Sequence, residues 1–424
     1  MLKEHPKGIM VMFTTEMWER FGFYIMMAIL VLYMDSEFGW SDSVKGDHYG
    51  MFLGLVYFIP LLGGYLGDKL FGQINTVIAG SVFMLFGYIS LALSSAEQLV
   101  FFYIGLFLVA FGTGIFKVNM AVLVGNLYKE KVHLKDAGFN IFYMGVNVGA
   151  TIAPLAATLL GYLFNDYRIS FWAAAVGMVI ALLTFNMGKS KIMSADVKQS
   201  RKTEKEIVHI EIGKTETAQR MVSLAMLFII VIFFWMAFYQ NGFALTLFAE
   251  RSTKIYDLLR PETYQFFNPF FILVLTPVLL GLFNKLNKKG KEPSTPLKIF
   301  IGMTIMGISM VIMVFASLNG GNSDSNIMSP YWLISTYLVV TLAEILISPM
   351  GLSYVSKVAP PKLQGRMMGG WYAATAVGSY GSGLLGKYYS DFAHHEYFII
   401  LTGILIFSAV LALLSMKKLN RFAN

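Results

Sequence analysis

Stretches of about twenty apolar residues recur along the whole chain, and each has the length needed to cross roughly 30 Å of bilayer hydrocarbon. Of the 424 residues, 56% are hydrophobic and 14% are charged. That is more apolar surface than a soluble core of ordinary size buries. We therefore predict an all-α membrane protein of twelve transmembrane helices. They are expected near residues 10–33, 47–67, 72–93, 99–124, 137–163, 169–187, 219–247, 263–285, 297–317, 329–355, 366–388 and 396–416.

A polar and basic segment, residues 188–218, separates the first six predicted helices from the last six. Basic clusters at 129–135 and 285–291 fall on the same side of the membrane as this segment, whereas the opposite loops are poor in lysine. Because positively charged loops stay in the cytoplasm, the pattern places the segment and both chain termini there. The predicted domains are an N-terminal six-helix half, a basic cytoplasmic linker and a C-terminal six-helix half, at residues 1–187, 188–218 and 219–424.

Two six-helix halves joined by a basic loop are similar to the layout of the major facilitator superfamily. The string GGYLGDKLFGQ after the second predicted helix resembles the signature of that superfamily between helices 2 and 3. The resemblance implies a major facilitator superfamily fold, with a substrate site at mid-membrane between the halves.

Composition and motifs also exclude several classes of function. The net charge is +8, but the lysines and arginines lie in alternate loops between the apolar spans, as they do in membrane proteins. We therefore expect no nucleic-acid partner. The chain has no cysteine, no HExxH and no GxSxG, so we expect no enzyme, no catalytic residues and no metal site. The first apolar run carries charges and lacks a small-residue cleavage site, so we expect it to remain in the mature protein as helix 1.

Charged side chains inside the predicted helices are the strongest functional signal, because a charge at the bilayer centre costs roughly 3 kcal/mol and needs a partner or a task. Five candidates stand out: Glu16, Glu19, Arg20, Lys117 and Glu344. A spacing of four residues places Glu16 and Arg20 on one face of helix 1, with Tyr24 one turn further along. That face is expected to border a polar cavity.

The five charges do not balance, since three acids stand against two bases. One carboxylate is left without a cation, and one proton would neutralise it, as a proton-carrying site requires. We therefore favour protons over sodium as the coupling ion, although sodium stays open. Lys117 and Glu344 lie singly in opposite halves, and we expect them to pair across the central cavity.

Amide and aromatic side chains in the apolar helices are further candidates. Asn147 and Asn268 are expected to line the cavity, because an amide in lipid must find polar partners. Tyr57 and Trp371 could line a pocket or serve as core and interface aromatics, and both alternatives stay open.

The string EMWERFGFY resembles the ExxERF motif on helix 1 of the proton-dependent oligopeptide transporter (POT) family. The resemblance continues through YFIPLLGGYLGDKLFG, GTGIFKVNM, FNIFYMGVNVGATIAP, QFFNP, AEILISPMG and GGWY, and so covers nearly the whole chain. It implies that Glu16, Glu19 and Arg20 couple protons. In the family, the substrate's carboxylate lies near the basic residues and its amino group near the helix 10 acid. The residues implied to bind substrate are Tyr24, Tyr57, Lys117, Asn147, Asn268, Glu344 and Trp371.

Several positions depart from the family pattern. Phe23 replaces a tyrosine after ERF, and Val118 replaces the proline that commonly follows the helix 4 lysine. Met27 stands where peptide-transporting members usually carry an arginine, and Gln240 stands where helix 7 usually carries the glutamate that pairs with it. We treat Met27 and Gln240 as altered gate positions.

The predicted function is a proton-coupled symporter that imports di- and tripeptides, or peptide-like zwitterions, by alternating access. Its partners would be a small zwitterionic substrate and the lipid bilayer, it would need no cofactor beyond protons, and it would act as a monomer. Its location would be the plasma membrane as a multi-pass protein, which is the inner membrane in a Gram-negative bacterium. Two alternatives stay open: a non-peptide substrate such as an anion, an amino-acid conjugate or a drug, and a substrate-sensing membrane protein.

Overall fold

The computed structural model describes residues 4–196 and 213–422, apart from the side chain of Lys362. Most of the predicted linker, residues 197–212, lies outside the described residues. The helices are α1 Gly8–Phe38, α2 Asp42–Phe58, α3 Pro60–Tyr65, α4 Gln73–Ala92, α5 Leu99–Leu127, α6 Lys135–Phe164, α7 Arg168–Gly188, α8 Lys214–Phe238, α9 Ala244–Arg251, α10 Phe267–Lys288, α11 Thr295–Asn319, α12 Pro330–Val358, α13 Gln364–Gly386 and α14 His394–Asn420.

Twelve of the helical segments in the described part of the chain have membrane-spanning length, which confirms the predicted all-α membrane fold. Eleven of them also have the mean hydropathy of a membrane span, among them Asp42–Phe71 and Lys214–Arg251. The first of these joins α2, α3 and a π-helical turn, and the second joins α8 and α9. The twelfth is α13, whose 23 residues include seven glycines, and glycine contributes little hydropathy.

The seventh predicted span differs from a continuous helix. A 3-10 turn, Tyr239–Gly242, separates α8 from α9. A β-carbon at Gly242 would overlap the hydroxyl of Tyr49, so the close approach of α2 requires glycine at the end of this turn. The break also allows the polar Gln240 to reach partners on other helices, as described below.

The chain divides into two compact units. Unit 1 comprises Met1–Trp40, Leu55–Glu206 and Asp257–Phe266. Within it, α1 packs against α6 and α7, and α4 packs against α5. Close helix packing is possible because glycines face neighbouring backbones: a β-carbon at Gly80 would lie 2.8 Å from the carbonyl oxygen of Gly112.

Unit 2 comprises Ser41–Gly54, Ile207–Tyr256 and Phe267–Asn424. Within it, α11 packs against α12 and α14, α8 packs against α13, and α10 packs against α12. The first half of α2 belongs to this unit because Gly46 and Gly50 approach the backbone of α13. A β-carbon at Gly46 would lie 2.6 Å from the carbonyl oxygen of Gly383. The division of the chain into halves at 1–187 and 219–424 stays a prediction.

Candidate functional site

The three predicted proton-coupling residues on α1 form one buried ion-pair cluster in unit 1. The exposed fractions are 2% for Glu16, 0% for Glu19 and 4% for Arg20. Arg20 Nε lies 3.1 Å from Glu16 Oε1 and 2.6 Å from Glu19 Oε2, and its Nη2 donates to Glu19 Oε1 at 3.1 Å. The prediction that Glu16 and Arg20 share one face of helix 1 is confirmed, and the two side chains form an ion pair there. Two carboxylates share one guanidinium, so the cluster carries one excess negative charge when both are ionised.

Neighbouring helices close around this cluster. A β-carbon at Gly149 of α6 would overlap the carbonyl oxygen of Met17 and would lie 3.1 Å from Arg20 Cβ. On α7, a β-carbon at Gly177 would lie 3.0 Å from Phe21. Glycines at these crossings let the backbones approach closely. The approach keeps lipid away from the charged face of α1.

Lys117 on α5 is half-buried in the same unit. Its Nζ lies 5.2 Å from the centre of the Tyr57 ring, which is a cation–π distance. The guanidinium of Arg20 lies 5.5 Å from the centre of the Phe23 ring. Unit 1 therefore carries two acids and two cations of the predicted site, so their formal charges sum to zero. The aromatic rings provide apolar cover over cations that lie inside the membrane.

Glu344 on α12 is the one predicted site acid in unit 2. Asn268 on α10 donates from Nδ2 to Glu344 Oε2 at 2.8 Å and to Thr341 Oγ1 at 3.1 Å. The polar partner of the Asn268 amide is therefore the helix 10 acid, and the cavity-lining role of Asn268 stays a prediction. Because an amide is neutral, it orients the carboxylate without neutralising it. The pairing of Glu344 with Lys117 stays a prediction.

Asn147 and Trp371 are placed mainly by packing. Asn147 is 4% exposed and donates from Nδ2 to the carbonyl oxygen of Tyr143, one turn earlier on α6, at 2.9 Å. Trp371 on α13 is 3% exposed, and a β-carbon at Gly351 of α12 would overlap its indole ring. This contact supports the core alternative for Trp371. The substrate-binding roles of both residues, and of Tyr24, stay predictions.

The altered gate positions each have their own partners. Gln240 is fully buried in unit 2, where its Nε2 donates to Ser382 O at 2.9 Å and its Oε1 accepts from Tyr397 Oη at 3.0 Å. The carbonyl oxygen of Met27, in unit 1, accepts from Gln265 Nε2 at 3.3 Å. A glutamine is required at 240 for both contacts, because an ionised glutamate has no donor for Ser382.

A second buried ion cluster lies at the start of α2 in unit 2, and no motif in the sequence points to it. Asp42, 5% exposed, accepts from Arg251 Nη2 at 2.8 Å and Nη1 at 2.9 Å. Lys45 Nζ lies 2.8 Å from Asp42 Oδ1, and the hydroxyl of Ser390 donates to Asp42 Oδ2. Since Asp42 and Arg251 are 209 residues apart, only the fold brings them together. The cluster joins α2 to α9 and to the segment before α14.

The described residues contain no group of three or more side chains suited to hold a metal ion. Nothing in the geometry of the clusters therefore assigns a metal to the site.

Comparison with known proteins gives the same assignment along almost the whole length of the chain. The family model described as the POT family matches residues 74–208 and 191–400. The uncharacterised transporter YclF of Bacillus subtilis is 31% identical, over 90% of this chain and 89% of that protein. A di-/tripeptide transporter of Lactococcus lactis subsp. cremoris is 29% identical, over 97% of this chain and 95% of that protein.

The fold agrees as well. The crystal structure of a mutant of the peptide transporter POT in complex with alafosfalin matches with a TM-score of 0.89 and 28% identity, over 99% of this chain and 96% of that one. The chain belongs to the POT family of transporters. The predicted family and the major facilitator fold are confirmed, and the protein is a multi-pass membrane transporter and not an enzyme.

Proposed function

We propose that this chain is a proton-coupled symporter that imports di- and tripeptides, or peptide-like zwitterions, by alternating access. The proposed location is the plasma membrane, with both termini and the 188–218 linker in the cytoplasm. The proton is the coupling ion, no other cofactor takes part, and one chain suffices. Relatives described as di-/tripeptide transporters support the substrate class.

The observation that carries the proposal is the buried α1 cluster, in which Glu16 and Glu19 share the single guanidinium of Arg20 at 2.6 to 3.1 Å. With both carboxylates ionised, the three buried residues carry a net charge of −1, and Lys117 is the one other predicted site cation in unit 1 that can balance it. When Lys117 pairs with a substrate carboxylate, that charge is left uncompensated. A buried charge of this kind is costly, and binding one proton removes it. The cluster therefore has a proton-bound and a proton-free state, which a proton-driven cycle requires.

The remaining charges fit the two ends of a zwitterion. Arg20 and Lys117 in unit 1 offer cations to a carboxylate, and Arg20 has the planar donor geometry that carboxylates accept. Glu344 in unit 2 offers a carboxylate to an ammonium group, and Asn268 orients it from 2.8 Å. Every peptide carries a terminal carboxylate and a terminal ammonium group, whatever its side chains. The cations and Glu344 are therefore suited to the peptide termini rather than to one particular side chain.

Gln240 and Met27 take no part in an ion pair under this proposal. Gln240 instead braces unit 2 internally, through Ser382 on α13 and Tyr397 on α14. Both positions are uncharged, so the arginine–glutamate ion pair expected from the family resemblance cannot form between them in this chain.

The test is uptake of a labelled dipeptide into proteoliposomes under an imposed pH gradient. Wild type should accumulate the dipeptide only when the gradient is present. Glu16→Gln and Glu19→Gln should each abolish this accumulation but retain exchange of labelled for unlabelled dipeptide, because exchange moves no net protons. Glu97→Gln makes the same chemical change at an exposed position and should behave as wild type. Full accumulation by both α1 variants would contradict the coupling role.

The same vesicles separate the alternatives. Uptake that a panel of dipeptides fails to compete would indicate a non-peptide substrate. Dipeptide binding without flux, in vesicles where a known transporter is active, would indicate a sensor.

A further inference from the structure

A cationic cavity of about 700 Å³ lies at the end of unit 2 where α8 begins and where α12 and α14 end. None of the residues that line it belongs to the proposed transport site. The residues lining it are Glu216, Gln219, Arg220, Lys357, Arg421 and Phe422. Three of the six are cations and one is an acid, so the lining carries a net charge of +2.

Contacts with neighbouring residues fix the position of Arg220 in the wall of this cavity. Arg220 Nη2 lies 2.8 Å from Glu216 Oε1, and its Nη1 donates to the carbonyl oxygen of Val358 at 3.1 Å. The centre of the Phe422 ring lies 5.0 Å from the guanidinium group of Arg220 and 5.6 Å from that of Arg421. Glu216 balances Arg220, so Lys357 and Arg421 supply the excess positive charge. Neither has an acidic partner within 4.0 Å in the described part of the chain.

An apolar stripe on α14 leads up to this cavity. Phe407, Val410 and Leu414 are spaced by three and four residues and are 56%, 46% and 77% exposed. Arg421 follows Leu414 by seven residues, which is two helical turns and the same face. The surface therefore presents apolar side chains along the membrane span and cations at its end, in one continuous row.

We propose that this cavity binds the headgroup of an anionic phospholipid. The phosphate would lie between Lys357 and Arg421, and the acyl chains would lie along the Phe407, Val410 and Leu414 stripe. Guanidinium and ammonium groups are the usual partners of phosphate oxygens, and basic pockets between membrane helices bind anionic headgroups. The net positive lining favours an anionic lipid over a zwitterionic one, whose own ammonium the cations repel. Inorganic phosphate carries the same anionic group as the lipid headgroup, but it has no acyl chains to contact the apolar stripe.

The experiment measures thermal unfolding of the full-length protein in detergent while phosphatidylglycerol is titrated into the micelles. Stabilisation by a bound ligand follows its occupancy, so the midpoint should rise and saturate. Lys357→Gln combined with Arg421→Gln should increase the half-saturating lipid fraction at least tenfold. Lys285→Gln combined with Lys288→Gln removes the same charge at the end of α10, outside the cavity lining and away from the α14 stripe, and should change it less than twofold.

Two further arms identify the source of the phosphate. Phosphatidylethanolamine and millimolar inorganic phosphate should each give little stabilisation of the wild type. Native mass spectrometry of the same samples should show one phosphatidylglycerol retained by wild type and by the Lys285/Lys288 variant but lost from the Lys357/Arg421 variant. The number of bound lipid molecules is measured independently of the unfolding midpoint. It therefore remains a valid test if a variant is less stable than wild type.

Three results would overturn the proposal. Equal losses in the two double variants would show a diffuse attraction to basic residues rather than a site. Equal stabilisation by phosphatidylethanolamine would show no selection for an anionic headgroup. Stabilisation by inorganic phosphate alone would show that no lipid is recognised.

Discussion

Replacing Gln240 by glutamate tests whether this position is an internal brace. The substitution is isosteric and exchanges the Nε2 donor, 2.9 Å from Ser382 O, for an oxygen. When ionised, that oxygen faces a carbonyl oxygen, so the hydrogen bond is lost, although Ser382 O keeps its helical partner in α13. Losing a buried hydrogen bond costs about 0.5 to 1.5 kcal/mol, and an uncompensated buried charge brings the total to about 3 to 5 kcal/mol.

Protonation should reverse most of this loss. A protonated carboxyl has an O–H that can donate to Ser382 O, while its other oxygen still accepts from Tyr397 Oη. The stability of Gln240→Glu relative to wild type should therefore be lowest at pH 8 and should recover as the pH falls towards 5. Tyr397→Phe removes the other contact, 3.0 Å long, and should cost about 1 kcal/mol without this pH dependence.

The assay is denaturant unfolding of the purified protein in detergent at several pH values. Gln364→Glu provides the matched control, since Gln364 also donates to a backbone carbonyl, at 3.3 Å, but is exposed to water. Its cost should stay below about 0.5 kcal/mol because water replaces the lost partner. Wild-type stability of Gln240→Glu at pH 8, or equal pH dependence of the two glutamate variants, would refute the brace.

Other contacts in unit 2 give three further predictions. Asp42→Asn should cost about 2 to 4 kcal/mol of unfolding free energy, because it leaves two cations without their buried carboxylate. The adjacent Asp47→Asn breaks only a partly exposed pair with Lys387 and should cost less than about 1 kcal/mol; equal costs would contradict the importance of burial. Gly383→Ala places a β-carbon into the backbone of α2 and should lower the unfolding midpoint and slow dipeptide uptake, by overpacking of about 1 to 3 kcal/mol; normal stability and uptake would show that α2 can move aside. Asn268→Leu removes the donor to Glu344 and should raise the dipeptide concentration for half-maximal uptake at least tenfold; an unchanged value would show that Glu344 needs no orientation.

Features that depend on neighbours along one helix could be predicted from the sequence. Eleven of the twelve membrane-length segments follow from their apolar runs, since each span satisfies its own backbone hydrogen bonds. The contact of Glu16 with Arg20 follows from the helical repeat, which brings residues four apart onto one face. The departures at Met27 and Gln240 were also visible in the sequence, because a single residue decides each of them.

Contacts between helices were not predictable in the same way. Asn268 donates to Glu344, 76 residues away, and Gln240 bonds to Ser382 and Tyr397, 142 and 157 residues away. A hydrogen bond needs atoms placed within about 3 Å, and helix rotation and crossing angle change such distances by more than that.

The sequence by itself determined which residues carry charge inside the membrane, which helix each one occupies and which family the chain belongs to. Only the tertiary structure decided which side chains meet: Asn268 with Glu344, Ser382 with Gln240, and Arg251 with Asp42. The physical reason is that charge and helix formation are local properties of the chain. Partner choice depends on how glycine-lined helix faces pack, and that packing is set by the whole bundle at once.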